Sequence, residues 1–376
     1  MTATLLYQNT TTDQSQSGPL CFINAQGAGT TDLPPGIDHD WLRATYRHMV
    51  LIRALDKKAV VLQRTGQMRT YPSSLGQEAV GIGVGLAMQA DDVYVPYYRD
   101  QATMYMRGVK LSQILQLWGG DERGHLFEGN ASRDLPICVP IATQLTQAAG
   151  VGVALKSRGQ RQAVVTSCGD GATSRGDFYE ALNLAGLWQL PVVTVINNNQ
   201  WAISVPRHMQ TGTPTLAQKA VAAGIEGIQV DGNDVVAVYH AVHTALQKAY
   251  SGKGPTLIEA ICYRLSDHTT ADDATRYRSA DEVSKAWENE PIKRLQTWMH
   301  TNKIWSPEQE QQLIVEVQSE IERAVSDYLN IAPQPTDEFL THQFAQMTKP
   351  LLAQQALLLQ RHRPLHKESG GDQDEH

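Results

Sequence analysis

The amino-acid sequence predicts an α/β fold, a mostly parallel sheet with helices on both faces, and three observations predict it. Residues 163–167, 192–196 and 257–261 are short, mostly apolar runs rich in β-branched residues, of the kind that form strands buried on both faces. Between the first two runs, Phe178, Ala181, Leu182, Ala185 and Leu187 recur at helical spacing. Gly169 punctuates one end of that stretch and Pro191 the other, so the unit reads strand, turn, helix, strand. The right-handed crossover rule then puts the ends of both strands on one edge of the sheet.

In chain order, residues 1–38 are polar, contain Gly and Pro, and read as a mobile or partner-wrapping arm. Asp40 is expected to open a helix, with Trp41, Leu42, Tyr46, Met49, Val50, Ile52 and Leu55 as its apolar face to about Thr65. Residues 76–88 form a second helical stretch whose Gly81, Gly83 and Gly85 suit close helix packing. The strand–helix alternation begins near Val93 and ends with residues 257–261, the last core strand, with Asp177 as N-cap of the helix between the first two runs. Residues 281–330 read as charged helices, closing a domain placed at residues 39–350. Residues 351–376 are assigned to a terminal helix and an acidic, Gly-rich, unfolded tail.

A chain of 376 residues with 41% hydrophobic and 19% charged residues has a globular balance. The net charge of −7 argues against a nucleic-acid partner, which wants a basic face. No apolar run approaches bilayer length, and the N-terminus lacks both a secretion signal and the arginines of a mitochondrial presequence. Cys21, Cys138, Cys168 and Cys262 are scattered without Cys-x-x-Cys pairing, and read as reduced, mostly buried thiols of a cytoplasmic protein.

The stretch that carries chemistry runs from Cys168-Gly169-Asp170-Gly171-Ala172 to Asn197-Asn198-Asn199-Gln200-Trp201. Asp170 falls at one strand's carboxyl end and Asn199 just past the next. A carboxylate, an amide oxygen and a backbone carbonyl are the hard ligands magnesium prefers, completed by phosphate oxygens and water. Gly171 and Ala172 carry almost no side chain, so their N–H groups can approach a phosphate closely. The pattern reads as a cradle for a magnesium-bound diphosphate.

Gly-Asp-Gly followed at this distance by Asn-Asn is similar to the thiamine-diphosphate motif. The run from Asp170 through Arg175-Gly176-Asp177 to Glu180 resembles the alpha chains of thiamine-diphosphate-dependent 2-oxoacid dehydrogenases, the first components of the pyruvate and branched-chain complexes. So do Thr215-Leu216-Ala217-Gln218-Lys219-Ala220, Val230-Asp231-Gly232-Asn233-Asp234 and Asp272-Asp273-Ala274-Thr275-Arg276-Tyr277-Arg278. The resemblance spans roughly residues 40–330 and implies the thiamine-diphosphate-binding fold. It makes Asp170, Asn199 and the carbonyl of Trp201 magnesium ligands, and adds Gly169, Gly171 and Ala172 to the cofactor site. Tyr98 and Arg99 match a pair that reaches the diphosphate, and Arg264 a second phosphate-binding arginine; a guanidinium's planar donors suit phosphate oxygens. His268 matches a catalytic histidine facing the reacting carbon, followed by Thr269 where related eukaryotic chains are phosphorylated.

Ile141 and Thr143 lie in a segment resembling the branched-chain member, where it contacts the aminopyrimidine and can hold potassium. Near Gly129-Asn130 the chain departs from the family, whose second active-site histidine is met here by Glu128 or a displaced His125, either of which can line the substrate entrance. The resemblance implies oxidative decarboxylation of a small 2-oxoacid with acyl transfer to a lipoyl group. It also implies a beta subunit that supplies the activating glutamate, an α2β2 heterotetramer, and docking on a lipoylated dihydrolipoyl acyltransferase core. Pyruvate leads as substrate, with branched-chain 2-oxoacids and acetoin as alternatives. A single-chain decarboxylase needs a longer chain, and a noncatalytic scaffold would have lost Asp170, Asn199, Arg264 or His268.

Overall fold

The computed structural model describes residues 18–335, 338–341 and 343–361. Its elements are α1 (His39–Arg64), α2 (Glu78–Ala87), β1 (Val93–Val95), α3 (Gln101–Met106), α4 (Leu111–Trp118), α5 (Thr143–Ser157), β2 (Val164–Gly169), α6 (Gly176–Leu187) and β3 (Val192–Asn198). There follow a two-residue hairpin of β4 (Trp201–Ala202) and β5 (Val205–Pro206), then β6 (Glu226–Asp231), α7 (Val235–Tyr250), β7 (Thr256–Ile261), α8 (Ala280–Glu288), α9 (Pro291–Thr301), α10 (Pro307–Leu329) and α11 (Lys349–Arg361).

Five strands form one sheet in the order β1-β2-β3-β7-β6, and every neighbouring pair is parallel. Alternate residues of a strand point to opposite faces. Val164, Val192 and Leu257 accordingly join an apolar cluster with α5 and α6. Val165, Val193 and Ile258 join the larger cluster with α1, α2, α7, α9 and α10. The last strand in sequence, β7, is inserted between β3 and β6 rather than lying at an edge. Arg264, shortly after it, is thereby brought beside the ends of β2 and β3.

The three-glycine helix packs as closely as its composition suggests. A Cβ on Gly81 would meet Ala102 Cβ at 2.5 Å, on Gly85 Met106 Cβ at 2.3 Å, and on Gly83 Val238 Cγ1 at 2.8 Å, so α2 is pressed against α3 and α7.

Several boundaries move. The N-cap of α1 is Asp38, whose carboxylate accepts the Trp41 N–H at 2.8 Å; Asp40 sits in the first turn and pairs with Arg43. Helix α6 starts two residues earlier than expected, with Arg175 as its N-cap. Asp177 therefore caps nothing and instead accepts the Thr143 hydroxyl at 3.1 Å. Gly169 does not turn the chain: it is extended and pairs with Asn197, and the turn is a single 3-10 stretch, Asp170–Ser174. Pro191 opens β3 rather than closing α6, which stops at Leu187 with Gln189 at φ 47°.

The segment read as an arm is docked where it is described. Leu20 bridges to Val230, and the N–H groups of Phe22 and Ile23 donate to the Asp234 carboxylate at 2.6 and 2.9 Å. Ile23 is buried, and this stretch covers the outer edge of β6, which would otherwise offer unpaired strand groups. Residues 1–17 and the acidic tail from residue 367 lie outside the described residues. The chain divides into two units, the first ending at Leu329. The second begins at Asn330, passes through a Pro-containing stretch without regular structure, and contains α11. All four cysteines are free; Cys168 and Cys262 are buried and Cys21 and Cys138 are partly exposed. No helix among the described residues is long and apolar enough to cross a membrane.

The close approach of α2 to α7 gives a direct test. Gly83→Ala is expected to destabilise the chain by about 2 kcal/mol, the scale of overpacking in a filled core. Chemical denaturation measures it, and an unchanged midpoint would mean that α7 yields freely.

Candidate functional site

The site lies at the carboxyl edge of the three adjacent strands β2, β3 and β7. The parallel register sets Gly169 opposite Asn197 and Asn198 opposite Ile261, so Asp170, Asn199 and Arg264 leave the sheet side by side. Asp170 is buried, and the side-chain donor on its carboxylate is Gln210 Nε2 at 3.0 Å. Burial pushes its acid up to about 6, against the Gln210 hydrogen bond and the attraction of Arg264. A carboxylate so placed is short of positive charge. Gly171 has no room for a side chain, since a Cβ there would lie 2.6 Å from Ala202 Cβ. The hairpin of β4 and β5 thus rests directly on the turn that carries Asp170.

Asn199 Nδ2 donates to Gln77 Oε1 at 3.3 Å, and its Oδ1 accepts the Trp201 N–H at 3.3 Å. The indole of Trp201 is anchored away from the edge by its hydrogen bond to Glu282, at 2.8 Å, and packs on Tyr277 with ring centroids 5.5 Å apart. The loop is strained: Gln200 and Ile203 have φ of 73° and 53°, and a β-branched residue in the left-handed region is a true outlier. The carbonyl of Ile203 accepts Arg264 Nη2 at 2.8 Å, and that of Trp201 accepts Arg264 Nη1 at 3.2 Å.

Arg99 and Arg264 converge on His268. Arg99 Nη2 lies 3.2 Å and Arg264 Nη1 3.4 Å from its Nδ1, and Arg99 also donates to the carbonyls of His268 and Ser73 at 3.1 and 2.5 Å. Guanidinium groups only donate, so Nδ1 must accept and the proton sits on Nε2. Burial and the two cations lower the imidazole's acid to about 3. Arg99 is 4% exposed and Arg264 0%, and among the described residues neither reaches a carboxylate at ion-pairing distance. Both buried Nε atoms lack a hydrogen-bond acceptor. The two guanidiniums and Arg278, at 8% exposure, repel one another, and burial with the charges of Arg99 and Arg278 lowers Arg264's pKa. Leaving such charge unpaired in a dry site costs roughly several kcal/mol per ion.

Supporting residues to which the sequence reading gave no role complete the arrangement. Asp100 accepts the Tyr97 N–H at 2.9 Å and the Ser167 hydroxyl, fixing the turn that presents Tyr98 and Arg99; burial pushes its acid up to about 7. Tyr277 accepts from Arg264 Nη2 at 2.9 Å and donates to Asp272, whose carboxylate also accepts the His268 N–H at 2.9 Å. Tyr71 and Thr270 exchange two hydrogen bonds of 3.0 Å and pin the far side of the His268 loop. The Tyr71–Thr270 pairing spans 199 residues and has no local sequence signal, whereas Asp100 and Asp272 accept the Tyr97 and His268 N–H groups from 3 and 4 residues away.

Tyr98 joins the cluster through its ring, edge-on to His268 at 6.1 Å and beneath the Arg99 guanidinium at 5.4 Å. No hydrogen bond among the described residues ties Ile141 or Thr143 to the cluster; Ile141 is exposed, and Thr143 is bound to Asp177. His125 is committed elsewhere: its Nε2 accepts the Ile137 N–H at 3.2 Å and its ring packs on Phe127. Glu128 is a surface residue paired with Lys110 at 3.5 Å.

The donor set fits a polyanion bound together with a divalent cation. Two orphaned guanidiniums need negative charge, and the Asp170 carboxylate needs positive charge. No group of three or more His, Cys, Asp and Glu among the described residues can hold a metal by itself. One carboxylate with amide and carbonyl oxygens is a hard-cation site that needs the anion's own oxygens to complete it.

Comparison with known proteins agrees with this geometry. The chain is 37% identical to the pyruvate dehydrogenase E1 component subunit alpha of Mycoplasma pneumoniae, across 85% of this chain and 89% of the relative. It is 40% identical to the pyruvate dehydrogenase E1 component subunit alpha of Acholeplasma laidlawii, across 86% and 94%. To the 3-methyl-2-oxobutanoate dehydrogenase subunit alpha of Mycobacterium tuberculosis strain H37Rv it is 40% identical, across 90% and 93%. The model of the dehydrogenase E1 component family matches residues 46–334, and the chain belongs to that family.

Proposed function

We propose that this chain is the alpha subunit of a pyruvate dehydrogenase, binding thiamine diphosphate and magnesium to decarboxylate pyruvate and pass its acetyl group to a lipoyl sulfur. The observation that carries the reading is the pair of buried, uncompensated guanidiniums of Arg99 and Arg264 beside the buried Asp170 carboxylate. The family's enzymes depend on thiamine diphosphate, which when bound supplies the carbon nucleophile for decarboxylating a 2-oxoacid. In this reading Asp170, the Asn199 amide oxygen and the Trp201 carbonyl hold magnesium, and Gly169, Gly171 and Ala172 line the diphosphate. Arg99 and Arg264 neutralise charge that one cation leaves over.

His268 is the residue with a proton to move. Its Nδ1 is occupied by the two arginines, which leaves Nε2–H to donate toward a reacting oxygen, and the neutral imidazole is kept from charging by the same arginines. Binding an anion between the guanidiniums relieves that suppression, so cofactor occupancy raises the basicity of His268. A beta subunit completing an α2β2 heterotetramer, docking on a lipoylated acyltransferase core, belongs to the same proposal. The exposed apolar side chains Leu126, Val139, Ile141, Ile203 and Met209 support a partner surface. The free cysteines fit a cytoplasmic location. Potassium held near Ile141 and Thr143 is the least supported part, since Thr143's hydroxyl is engaged by Asp177.

A second reading, a branched-chain 2-oxoacid dehydrogenase alpha subunit, is favoured by the 40% identity to the mycobacterial relative and by the 139–144 segment. Co-expression with the beta subunit and assay of pyruvate against 3-methyl-2-oxobutanoate decides between them. Higher kcat/KM on pyruvate is expected, and turnover of neither, with no thiamine diphosphate binding by calorimetry, would remove the proposal.

Asp170→Ala is expected to weaken magnesium thiamine diphosphate binding by more than the ~10–100-fold that loss of outer-shell partners costs, with the fold kept. His268→Ala should leave the cofactor bound and slow acetylation of a lipoyl domain by ~10²–10⁴-fold. NMR of the cofactor-free protein should find the His268 ring neutral, with its proton on Nε2, down to about pH 4. The unfolded chain protonates this residue near its ordinary value, so acidification below that value favours unfolding through it. A ring that titrates near pH 6.5 would contradict the arginine contacts.

A further inference from the structure

One buried acid at this edge has no part in the mechanism above. Glu259, on β7, is 1% exposed, and among the described residues no cation lies within ion-pairing distance. Its carboxylate is held by three neutral donors. Oε1 accepts Asn198 Nδ2 at 2.6 Å; Oε2 accepts the Ala217 N–H at 2.9 Å and Gln229 Nε2 at 3.0 Å. A buried carboxylate without a counter-ion is no gain in stability over an apolar side chain of similar size, so its contribution has to be sought in what it orients.

What it orients is a hydrogen-bond chain with a fixed direction. A carboxylate accepting on both oxygens forces Asn198 to turn its Nδ2 toward Glu259 and its Oδ1 the other way. That Oδ1 then accepts Gln200 Nε2 at 3.1 Å, and the Asn198 carbonyl accepts the same amide at 3.2 Å. Gln200 is the left-handed residue between Asn199 and Trp201. On its other side Glu259 grips the 3-10 segment Ala217–Ala223 through the Ala217 N–H. From that segment the buried Lys219 donates to the Thr173 carbonyl at 3.0 Å, inside the turn that begins at Asp170.

We infer that Glu259 is a positioning residue: it sets the amide polarity that holds Gln200 in its left-handed turn, and ties that turn to the Asp170 turn through Ala217 and Lys219. The inference rests on the reading of Asn199 and Trp201 as cofactor-site residues only for its consequence in binding; the hydrogen-bond polarity stands without it. Replacing the acid by its amide keeps the shape and breaks the direction. A glutamine can offer one acceptor, and satisfying Ala217 and Gln229 with it points its NH₂ at the NH₂ of Asn198. Adding Asn198→Asp repairs this, because the aspartate accepts from the new amide on one oxygen and from Gln200 on the other, and the total charge is unchanged.

The experiment compares the parent, E259Q and E259Q/N198D, each as the full chain co-purified with its beta subunit. Backbone hydrogen exchange at Asn199, Trp201 and Cys262 is measured without cofactor, and magnesium thiamine diphosphate binding is measured by calorimetry. E259Q is expected to exchange at least ~10-fold faster at these amides and to bind ~10–100-fold more weakly, the range for loss of an outer-shell partner. The double variant is expected to recover both. Unchanged exchange in E259Q, or a double variant no better than the single, overturns the inference. If the parent itself binds no thiamine diphosphate, the cofactor reading falls while the exchange result still decides the role of Glu259. Should E259Q not fold, recovery of a folded, slow-exchanging E259Q/N198D supports the polarity argument and its absence overturns it.

Discussion

Everything at this site depends on the parallel register of β2, β3 and β7. Because Gly169 lies opposite Asn197 and Asn198 opposite Ile261, three consecutive strand exits stand in a row at one edge. Chain separations of roughly thirty and sixty residues are thereby reduced to adjacent strands. A one-residue slip would turn the strand faces over, sending Val165, Val193 and Ile258 out of their core cluster. The register is therefore held by the burial of both faces, and the site inherits its precision from the core.

That rigidity lets the edge keep an arrangement no isolated loop would hold. Two buried guanidiniums face a neutral imidazole, a buried carboxylate lacks a cation, and Ile203 holds a left-handed backbone. Each is unfavourable alone. They share one remedy, a ligand carrying negative charge toward the arginines and a cation toward Asp170. The strain of Ile203 belongs to the same account, since its carbonyl is turned to accept Arg264 and thereby aims that guanidinium. Local unfavourable terms concentrated at one edge of a well-packed sheet are what a preorganised binding site looks like before it binds.

The sequence made the central strands β2, β3 and β7 legible because each is a mostly apolar run with no competing helical period, as in residues 192–196, whereas β6, Glu226–Asp231, carries no such run. It made Asp170 and Asn199 legible because they fall just past such runs, whereas Arg99 and Arg264 were singled out by the family resemblance. Helix starts were read less well: Asp177 resembles an N-cap, but the helix begins at Gly176 and the carboxylate serves Thr143 instead. Docking of residues 20–23 was invisible, because what holds them is a carboxylate and an edge strand more than 200 residues away. Glu259 was hidden for a related reason. The run 257–261 reads as a core strand, but only the fold shows that three donors from separate elements surround the Glu259 carboxylate.

The polar groups at this edge match charge rather than side-chain size, so they do not distinguish a methyl from an isopropyl side chain. Such a choice is worth only about 1–3 kcal/mol in an apolar wall and follows the wall's volume. The residues that first suggested specificity are poor candidates for that wall: His125 is bound to the Ile137 backbone and Glu128 to Lys110 at the surface. Val139, Ile141 and Ile203 are apolar and exposed, and Ile203 lies on the loop whose carbonyl accepts Arg264. Exposed apolar side chains of this kind are the ones a second surface would cover, so on the proposed reading substrate preference would depend on two chains meeting, whereas the guanidiniums and the Asp170 carboxylate are set within one.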